Sequence, residues 1–325
     1  MKILKVGIIG YGSIGKKHYY FLKKLNKNID IVFIRVKNKI KIKKNINQLR
    51  LINAVDVAFD CVFICTPANT HLEIAKFFIK NNIPTFIEKP LIDDYKKIKN
   101  YKNLINYIYK NKVIVNVGYV LKHNNSYKKF KQILSNNKLG KIIDVKSNCN
   151  SNLLTWRGSI AKSKVSTNKE LGGGVINELS HEIDYLNDLF GKIESVYANI
   201  NKKKLFKINS EESVDAILIN KNKIPINLHL DFNSSLSDRY CEVRFEKGNI
   251  KWDVKKNTIT IFNNTGKIEK FTIKSDHYMN QIKYFLNNIK NKKFHKKYLN
   301  DAIEVTKIIY LIKKSDQKRL EFNNK

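Results

Sequence analysis

The sequence predicts an α/β protein in which a part built from βαβ units comes first and an α+β part follows. In the first third of the chain, short apolar runs alternate with helical segments, which is typical of a parallel sheet. After residue 118, strand-like runs follow one another closely with few helices between them, which favours an antiparallel sheet. The 325 residues suffice for two cores, so we expect one domain over residues 1–120 and another over residues 121–325.

The predicted elements of the first part are apolar strands and amphipathic helices in alternation. Thr66-Pro67 ends the third strand and Lys89-Pro90 ends the fourth, because proline removes a backbone donor. The segment 37–53 is charged and shows no clear pattern. The strands are expected at residues 6–9, 31–34, 61–65, 85–88 and 113–117, with helices at 14–25, 71–81 and 93–111.

The second part is predicted to be rich in strands. Gly172-Gly173-Gly174 precedes a helix over residues 175–190, and further helices are expected at 125–136, 278–289 and 300–314. The strands are expected at residues 141–148, 195–200, 214–219, 226–232, 242–245 and 259–262.

The formal net charge of +34 raises the possibility of a nucleic-acid partner. The lysines are dispersed along the whole chain, however, and Lys, Asn and Ile all have A/T-rich codons. Codon bias therefore accounts for the charge, and we expect no nucleic-acid partner. No apolar run reaches 18 residues, so we expect no membrane span and a cytoplasmic protein. The four cysteines form no C-x-x-C pair, which favours free core thiols and no metal site.

A glycine-rich loop directly after the first strand carries the clearest chemical signal. Gly10, Gly12 and Gly15 fit the pattern G-x-G-x-x-G at the start of a helix. The first glycine permits a tight turn, the second lets the backbone approach a pyrophosphate, and the third lets the helix pack against the strand. The backbone N–H groups of Ser13 and Ile14 then face the phosphates. The loop predicts a dinucleotide site in a Rossmann domain.

The end of the second strand should read the adenosine ribose. Asp30 has the right spacing from the glycines but stands at the start of that strand, whereas ligands bind at the carboxyl ends. Arg35 stands at the end of the strand and can pair with the 2′-phosphate of NADP or stack on adenine. The alternative is a solvated surface arginine. The predicted cofactor is NAD(P), with NADP favoured.

Glu88-Lys89-Pro90 follows another strand of the same sheet, which places Lys89 above the carboxyl edge where a nicotinamide lies. With Gly10 to Gly15, Thr66-Pro67-x-x-x-His71 and the triple glycine, this order resembles the Gfo/Idh/MocA oxidoreductase family over nearly the whole chain. The resemblance implies a Rossmann domain, a C-terminal domain with a large, mostly antiparallel sheet, and a nicotinamide cofactor. It also implies a homodimer or homotetramer.

The same resemblance assigns roles to residues of the first domain. Lys89 is expected to be catalytic or to position the substrate. Thr66, Pro67 and His71 are expected to line the cofactor cleft, with Glu88 beside them. For His71 alone, a polar residue that merely begins a helix is the alternative.

The helix after the triple glycine carries the second expected acid or base, His181. Relatives carry Asp-x-x-x-His here, but Asn177 stands in the place of that aspartate. Positions three and four apart share one helix face, so Glu178 is a candidate carboxylate partner, and Asp184 is another. A helix-capping or buried structural histidine is the alternative for His181.

Trp156-Arg157 offers an aromatic surface beside a guanidinium, which suits a sugar that carries a carboxylate or phosphate. Together with the segment Glu-Leu-Ser-His-Glu-Ile-Asp-Tyr at residues 178–185, the pair is similar to a branch of the family from surface-polysaccharide and nucleotide-sugar pathways. The alternative is a packing tryptophan beside a surface arginine. Tyr119, Asn177 and His181 complete the expected substrate site. Relatives often carry Arg-Phe-x-Pro after Tyr119, where this chain reads Lys-His-Asn-Asn.

These residues together predict hydride transfer between NAD(P) and a hydroxyl or carbonyl carbon of a small, sugar-like substrate. Two alternatives share the fold: a glycosidase that uses NAD transiently, and a regulatory protein that binds NAD(P) without chemistry. Intact Lys89 and His181 argue against the regulatory alternative.

Overall fold

The structure is a computed structural model that describes residues 3–35, 48–50, 57–136, 138–158, 164–201, 203–206 and 208–317. The chain divides into two compact units, Met1–Tyr119 with Tyr278–Ile303, and Val120–His277 with Glu304–Lys325. The domain boundary at residue 120 stays a prediction. The segment from Tyr278 joins the first unit because Ile282 and Phe285 pack into that unit's core.

The first unit is built on a six-stranded sheet with the order β3-β2-β1-β4-β5-β6, in which every pairing is parallel. Its strands are β1 (Lys5–Ile9), β2 (Asp30–Arg35), β3 (Gln48–Arg50), β4 (Cys61–Ile64), β5 (Thr85–Ile87) and β6 (Val115–Val117). Of the two central strands, β4 is apolar throughout and β1 is apolar after Lys5, as expected where helices cover both faces of a parallel sheet.

Helices connect these strands and bury their apolar stripes on the sheet. They are α1 (Ser13–Leu25), α2 (His71–Lys80) and α3 (Lys102–Asn111), joined by α8 (His277–Lys290) from the end of the chain. The core includes fully buried Val6, Ile8, Leu22 and Phe86. The predicted helix over 93–111 is wrong in its first half, because residues Tyr95–Tyr101 form 3-10 turns that start at the Asp94 cap.

The second unit is built on an eight-stranded sheet with the order β14-β13-β12-β11-β7-β10-β9-β8. All its pairings are antiparallel except β7 with β10. The strands are β7 (Ile142–Asn150), β8 (Ile193–Ile200), β9 (Ser213–Asn220), β10 (Pro225–Asp231), β11 (Arg239–Phe245), β12 (Gly248–Asp253), β13 (Thr258–Asn263) and β14 (Ile268–Thr272).

One face of this larger sheet packs on helices, and the fully buried Trp252 of β12 contacts aromatic side chains from two of them. Its indole stacks on Phe130 at 5.6 Å between ring centroids and meets Tyr185 edge-on at 5.3 Å. Its Nε1 donates to Ser126 Oγ at 2.8 Å. The other helices of the chain are α4 (Asn125–Ser135), α5 (Leu153–Arg157), α6 (Val175–Glu178), α7 (His181–Phe190) and α9 (Lys296–Gln317).

The α/β class with a parallel first sheet and a mostly antiparallel second sheet is confirmed. β3, β12 and β14 were not predicted. β14 exposes most of its residues and lacks the alternation that marks a half-buried strand. The helix predicted over 175–190 is interrupted at Leu179 and Ser180. Within the described part of the chain, no helix is long and apolar enough to cross a membrane.

Candidate functional site

The carboxyl ends of the parallel strands bring four predicted segments to one edge of the first sheet. The glycine loop follows β1, Arg35 ends β2, Thr66 and Pro67 follow β4, and Lys89 follows β5. β1 and β4 are neighbours at the middle of the sheet. From β1 the chain continues through β2 to β3 on one side, and from β4 it continues through β5 to β6 on the other side. Ligands of open α/β sheets bind outside the strand ends at such a switch point. This edge is the candidate site of the first unit.

The three glycines of the loop are required for different reasons. Gly10 has φ +101°, and a Cβ there would lie 2.5 Å from the carbonyl oxygen of Cys65. A Cβ at Gly15 would lie 2.1 Å from the carbonyl oxygen of Gly10. Gly12 has an extended backbone with φ −76°, and no atom of the described residues lies within 4 Å of its ideal Cβ. Packing explains the outer two glycines, whereas the open approach at Gly12 fits a cofactor pyrophosphate.

Arg35 is the last residue of β2, and Asp30 is the first. The Asp30 carboxylate lies 3.8 Å from Lys5 Nζ at the opposite end of the strand. The carboxyl end of β2, where the adenosine ribose is expected to bind, therefore carries the guanidinium of Arg35. It does not carry an acidic side chain, which would accept a hydrogen bond from the ribose hydroxyl of NAD. The contact of Arg35 with a 2′-phosphate stays a prediction.

His71 is 1% exposed and joins two segments of this edge. Its Nε2 lies 2.8 Å from the carbonyl oxygen of Thr66, and its Nδ1 lies 2.8 Å from the carbonyl oxygen of Pro90. Burial lowers the pKa of His71, and the two carbonyls and Glu88 offset only part of that effect. A neutral imidazole donates one of these hydrogen bonds. His71 thus holds the Thr66-Pro67 turn against the segment that follows Lys89.

Glu88 lies beneath Lys89 and is nearly buried, and its side chain contacts a residue that sequence reasoning missed. Its Oε1 lies 2.7 Å from Nε2 of His18 in α1. Its Oε2 accepts from the backbone N–H of Lys89 at 3.3 Å. His18 follows Gly15 by three residues, and a histidine on the apolar face of the first helix was the available signal.

Two further predicted residues lie near the strand ends of the first unit. Lys89 is partly exposed and is joined to Pro90 by a cis peptide bond. Tyr119 follows β6, is 4% exposed, and its backbone N–H donates to the carbonyl oxygen of Val117 at 2.8 Å. The chemical role of Lys89 and the substrate contact of Tyr119 stay predictions.

In the second unit the helix break separates residues that were expected to share one helix face. Ser180 Oγ donates to the carbonyl oxygen of Asn177 at 2.8 Å, a local hydrogen bond that competes with helix continuation. Asn177 and Glu178 therefore belong to α6, and His181 is the first residue of α7. Because the helix is interrupted, the spacing does not by itself place these residues on one face, and their alignment stays a prediction.

The polar residues around this break have defined partners. Asn177 is 2% exposed, and its Nδ2 donates to the carbonyl oxygen of Gly172 at 3.0 Å. Glu178 Oε1 accepts from Ser166 Oγ at 2.8 Å. Asn177 thus secures the triple-glycine segment, and Glu178 holds Ser166, whose carbonyl oxygen accepts from the Gly174 N–H at 2.8 Å. Their substrate and acid–base roles stay predictions.

Asp184 forms a buried ion pair with Lys122, whose Nζ lies 2.8 Å from Asp184 Oδ1. Lys122 belongs to the segment that departs from the pattern of relatives after Tyr119. The choice between Glu178 and Asp184 as the carboxylate partner of His181 stays a prediction. The side chains of Trp156 and Arg157 lie outside the described residues, and only their backbone in α5 is described. Within the described residues, no group of three or more His, Cys, Asp or Glu side chains could hold a metal ion.

Comparison with known proteins identifies the chain's relatives. Residues 4–119 match the Gfo/Idh/MocA oxidoreductase family with an NAD-binding Rossmann fold. Residues 127–251 match the C-terminal domain of the same family. The chain belongs to the Gfo/Idh/MocA family. This oxidoreductase is therefore NAD-binding, and its glycine loop and strand edge lie in the matched Rossmann segment.

Individual relatives are distant but span nearly the whole chain. Oxidoreductase P35 of Formosa agariphila is 27% identical over 308 residues, which cover 86% of this chain and 90% of the relative. The scyllo-inositol dehydrogenase of Lactobacillus casei, solved with NAD(H) and scyllo-inositol, has a TM-score of 0.78 at 20% identity, with 98% of each chain covered. UDP-N-acetylglucosamine 3-dehydrogenase GnnA of Acidithiobacillus ferrooxidans has a TM-score of 0.77 at 16% identity, with 97% of this chain and 98% of that chain covered. At these identities the two structures establish the fold.

Proposed function

We propose that this oxidoreductase transfers a hydride between NAD(P) and a hydroxyl or carbonyl carbon of a sugar or sugar-nucleotide-like substrate. The observation that carries the proposal is the shared strand edge of the first unit. Four segments meet there at the carboxyl ends of parallel strands: Arg35 ends its strand, and the glycine loop, Thr66-Pro67 and Lys89 follow theirs. A lysine at this edge can hydrogen-bond to the oxygen of a reacting carbon that lies beside the nicotinamide.

The protein's own contribution is to bind, orient and move a proton. A bound nicotinamide supplies the hydride acceptor or donor. When the substrate is oxidised, its carbon gives up a hydride and its hydroxyl gives up a proton, leaving a carbonyl. We assign that proton to the amine of Lys89, with His181 as the second acid or base and Glu178 as the first candidate for the partner of His181. In reduction the same groups return the proton.

We propose NADP as the preferred cofactor. The guanidinium of Arg35 stands at the strand end where an acidic residue selects NAD. Arginine can grip a 2′-phosphate with two parallel hydrogen bonds. The acidic alternative, Asp30, stands at the far end of the same strand.

The proposed substrate is an anionic sugar, such as a sugar acid or a nucleotide-linked sugar. Arg157 next to Trp156 offers a guanidinium for a carboxylate or phosphate beside a surface for a sugar ring. GnnA acts on a UDP-sugar, which supports this choice, whereas the Lactobacillus casei enzyme binds the neutral polyol scyllo-inositol. A neutral polyol is therefore the second candidate.

A substrate panel separates the two candidates. Each charged sugar is paired with its neutral parent, scyllo-inositol is included, and reduced nicotinamide is followed by absorbance. We expect the charged members to react faster in the wild type, and Arg157→Ala to remove that preference. Arg157→Lys is the matched control, because it keeps the charge but loses the two-pronged geometry. Equal rates for charged and neutral members, unchanged in Arg157→Ala, contradict the anionic substrate.

The role of Lys89 is tested by Lys89→Met, which keeps the side-chain length and removes the amine. Turnover should fall by roughly 10²–10⁴-fold, the usual contribution of a positioned acid or base. Nucleotide affinity should change little. Lys80→Met, at an exposed position in the last turn of α2, controls for loss of a positive charge. Turnover of Lys89→Met within a few-fold of wild type removes the lysine from the mechanism.

We propose that the enzyme works as a homodimer or homotetramer. Tyr197 and Ile217 are 65% and 44% exposed on the second unit's sheet, which supports an association of copies through that face. Light scattering of the purified protein tests this, and a monomer at micromolar concentration contradicts it.

A further inference from the structure

A buried histidine–carboxylate pair connects the first helix of this enzyme to the strand end that carries Lys89. His18 of α1 is completely buried, and Glu88 is 8% exposed. The Nε2 of His18 lies 2.7 Å from Oε1 of Glu88. An ionised carboxylate only accepts hydrogen bonds, so Nε2 carries the hydrogen and donates. Such charge-assisted bonds are short and strong.

The surroundings of the pair are apolar and tightly shaped. The His18 ring lies 5.0 Å from the Phe63 ring and 5.2 Å from the Phe86 ring, between centroids. Gly118 packs against the other side of Glu88, where a Cβ would come within 2.8 Å of Oε2. Burying a carboxylate is unfavourable unless it is paired. Replacing such a buried pair with well-packed apolar side chains is often neutral or stabilising. Stability is therefore a weak reason for this pair.

The hydrogen bonds of Glu88 to the backbone show which segment the pair can hold in place. Its second oxygen accepts from the backbone N–H of Lys89 at 3.3 Å, and its own N–H donates to the carbonyl oxygen of Ile64 at 3.0 Å. His18 lies in the helix that begins at the glycine loop. The chain of contacts runs from that helix through His18 and Glu88 to the backbone of Lys89.

We infer that His18 is a positioning residue for catalysis: through Glu88 it fixes the Lys89 backbone relative to the nucleotide-binding helix. This inference rests on the proposed role of Lys89. When the His18 donor is lost, Oε1 of Glu88 loses its partner, and a rotation of the carboxylate towards another donor alters the contact of Oε2 with the Lys89 amide. A displacement of about 1 Å at a reacting group can reduce turnover by about 10²-fold.

The first test compares His18→Phe, which removes the donor, with His18→Gln, whose Nε2 can replace it. We expect kcat to fall by roughly 10²-fold in His18→Phe and to recover largely in His18→Gln, with nucleotide affinity within a few-fold in both. Leu22→Ala is the matched control, because Leu22 is fully buried one turn later in α1 and does not belong to the pair. It should lose stability and keep its kcat. If His18→Phe does not fold, His18→Asn, which is too short to reach Glu88, takes its place.

The second test asks whether His18 acts through Lys89. In a Lys89→Met background, His18→Phe should cause no further loss of turnover. Independently of activity, dinitrofluorobenzene labelling of Lys89, read by peptide mass spectrometry, should change at least several-fold in His18→Phe and return in His18→Gln. Lys97 in the same sample is the internal reference.

Additive losses with unchanged Lys89 labelling overturn the inference and make His18 a purely structural residue. Full turnover in Lys89→Met alone overturns the proposed role of the lysine. In that case the labelling comparison still decides whether His18 fixes the Lys89 position.

Discussion

Two glycines of the nucleotide loop should respond to substitution in opposite ways, although both belong to one motif. A Cβ at Gly12 would meet no atom within 4 Å apart from its chain neighbours, and the extended backbone there accepts any residue. Gly12 is the N-cap of α1, where valine is less favourable than glycine by about 1 kcal/mol. Gly12→Val should therefore fold, with a loss of stability of no more than about 1 kcal/mol.

A methyl group at Gly15 has a different effect, because it would lie 2.1 Å from the Gly10 carbonyl oxygen. The backbone must shift by more than an ångström to restore an ordinary contact. Overpacking of this kind costs about 1–3 kcal/mol, of which the better helix propensity of alanine offsets up to about 1 kcal/mol. The contacted atom belongs to the backbone and cannot rotate away, so the cost should lie in the upper part of that range. Gly15→Ala should therefore be less stable than Gly12→Val, with a melting temperature a few degrees below that of wild type.

Nucleotide binding should show the reverse order. The valine of Gly12→Val occupies the approach of the pyrophosphate, so affinity should fall at least about 10²-fold, which equals about 2.8 kcal/mol. Gly15→Ala leaves that approach open and should lose less than about tenfold. Fluorescence titration with NADH and NADPH, together with thermal unfolding by circular dichroism, measures both quantities. A folded Gly12→Val protein that binds either nucleotide as tightly as wild type refutes this reasoning.

Three further predictions concern other groups. NADPH should bind more tightly than NADH, and Arg35→Ala should remove the preference; a wild type that favours NADH, unchanged in Arg35→Ala, contradicts the assignment. Burial raises the pKa of all four cysteine thiols, so Ellman's reagent should react with none rapidly in the native protein at pH 8 and with all four after unfolding. Burial, followed by the nearby Lys128 and Lys122, lowers the pKa of His123 from 6.5 to about 3. Between pH 6.5 and 3 the unfolded chain binds this proton and the folded chain does not, so the free energy of unfolding should fall as the pH drops through that range. This group contributes at most about 1.4 kcal/mol per pH unit. In urea unfolding at several pH values, His123→Gln should show a smaller dependence of stability on pH.

Local patterns predicted most elements of the first unit and the position of its strand edge. Apolar runs of four or five residues, ended by glycine or proline, mark β1, β4 and β5 in the sequence, and the residues that follow them are those that meet at the edge. Periodicity was less informative where one face of an element lacks a clear apolar stripe, as in β14 and in the 3-10 turns over Tyr95–Tyr101. Side-chain hydrogen bonds that interrupt a helix, such as that of Ser180, also leave no periodic signal.

The sequence by itself determined the class of the fold, the glycine loop and the order of chemical residues along the chain, because these depend on short-range propensity and on adjacent residues. Only the tertiary structure decided which polar side chains pair. His18 and Glu88 are 70 residues apart, and Lys122 and Asp184 come from segments separated by several elements. Such pairs form because strands and helices that are distant in sequence pack side by side, and local patterns do not specify which distant element will supply the partner of a buried charge.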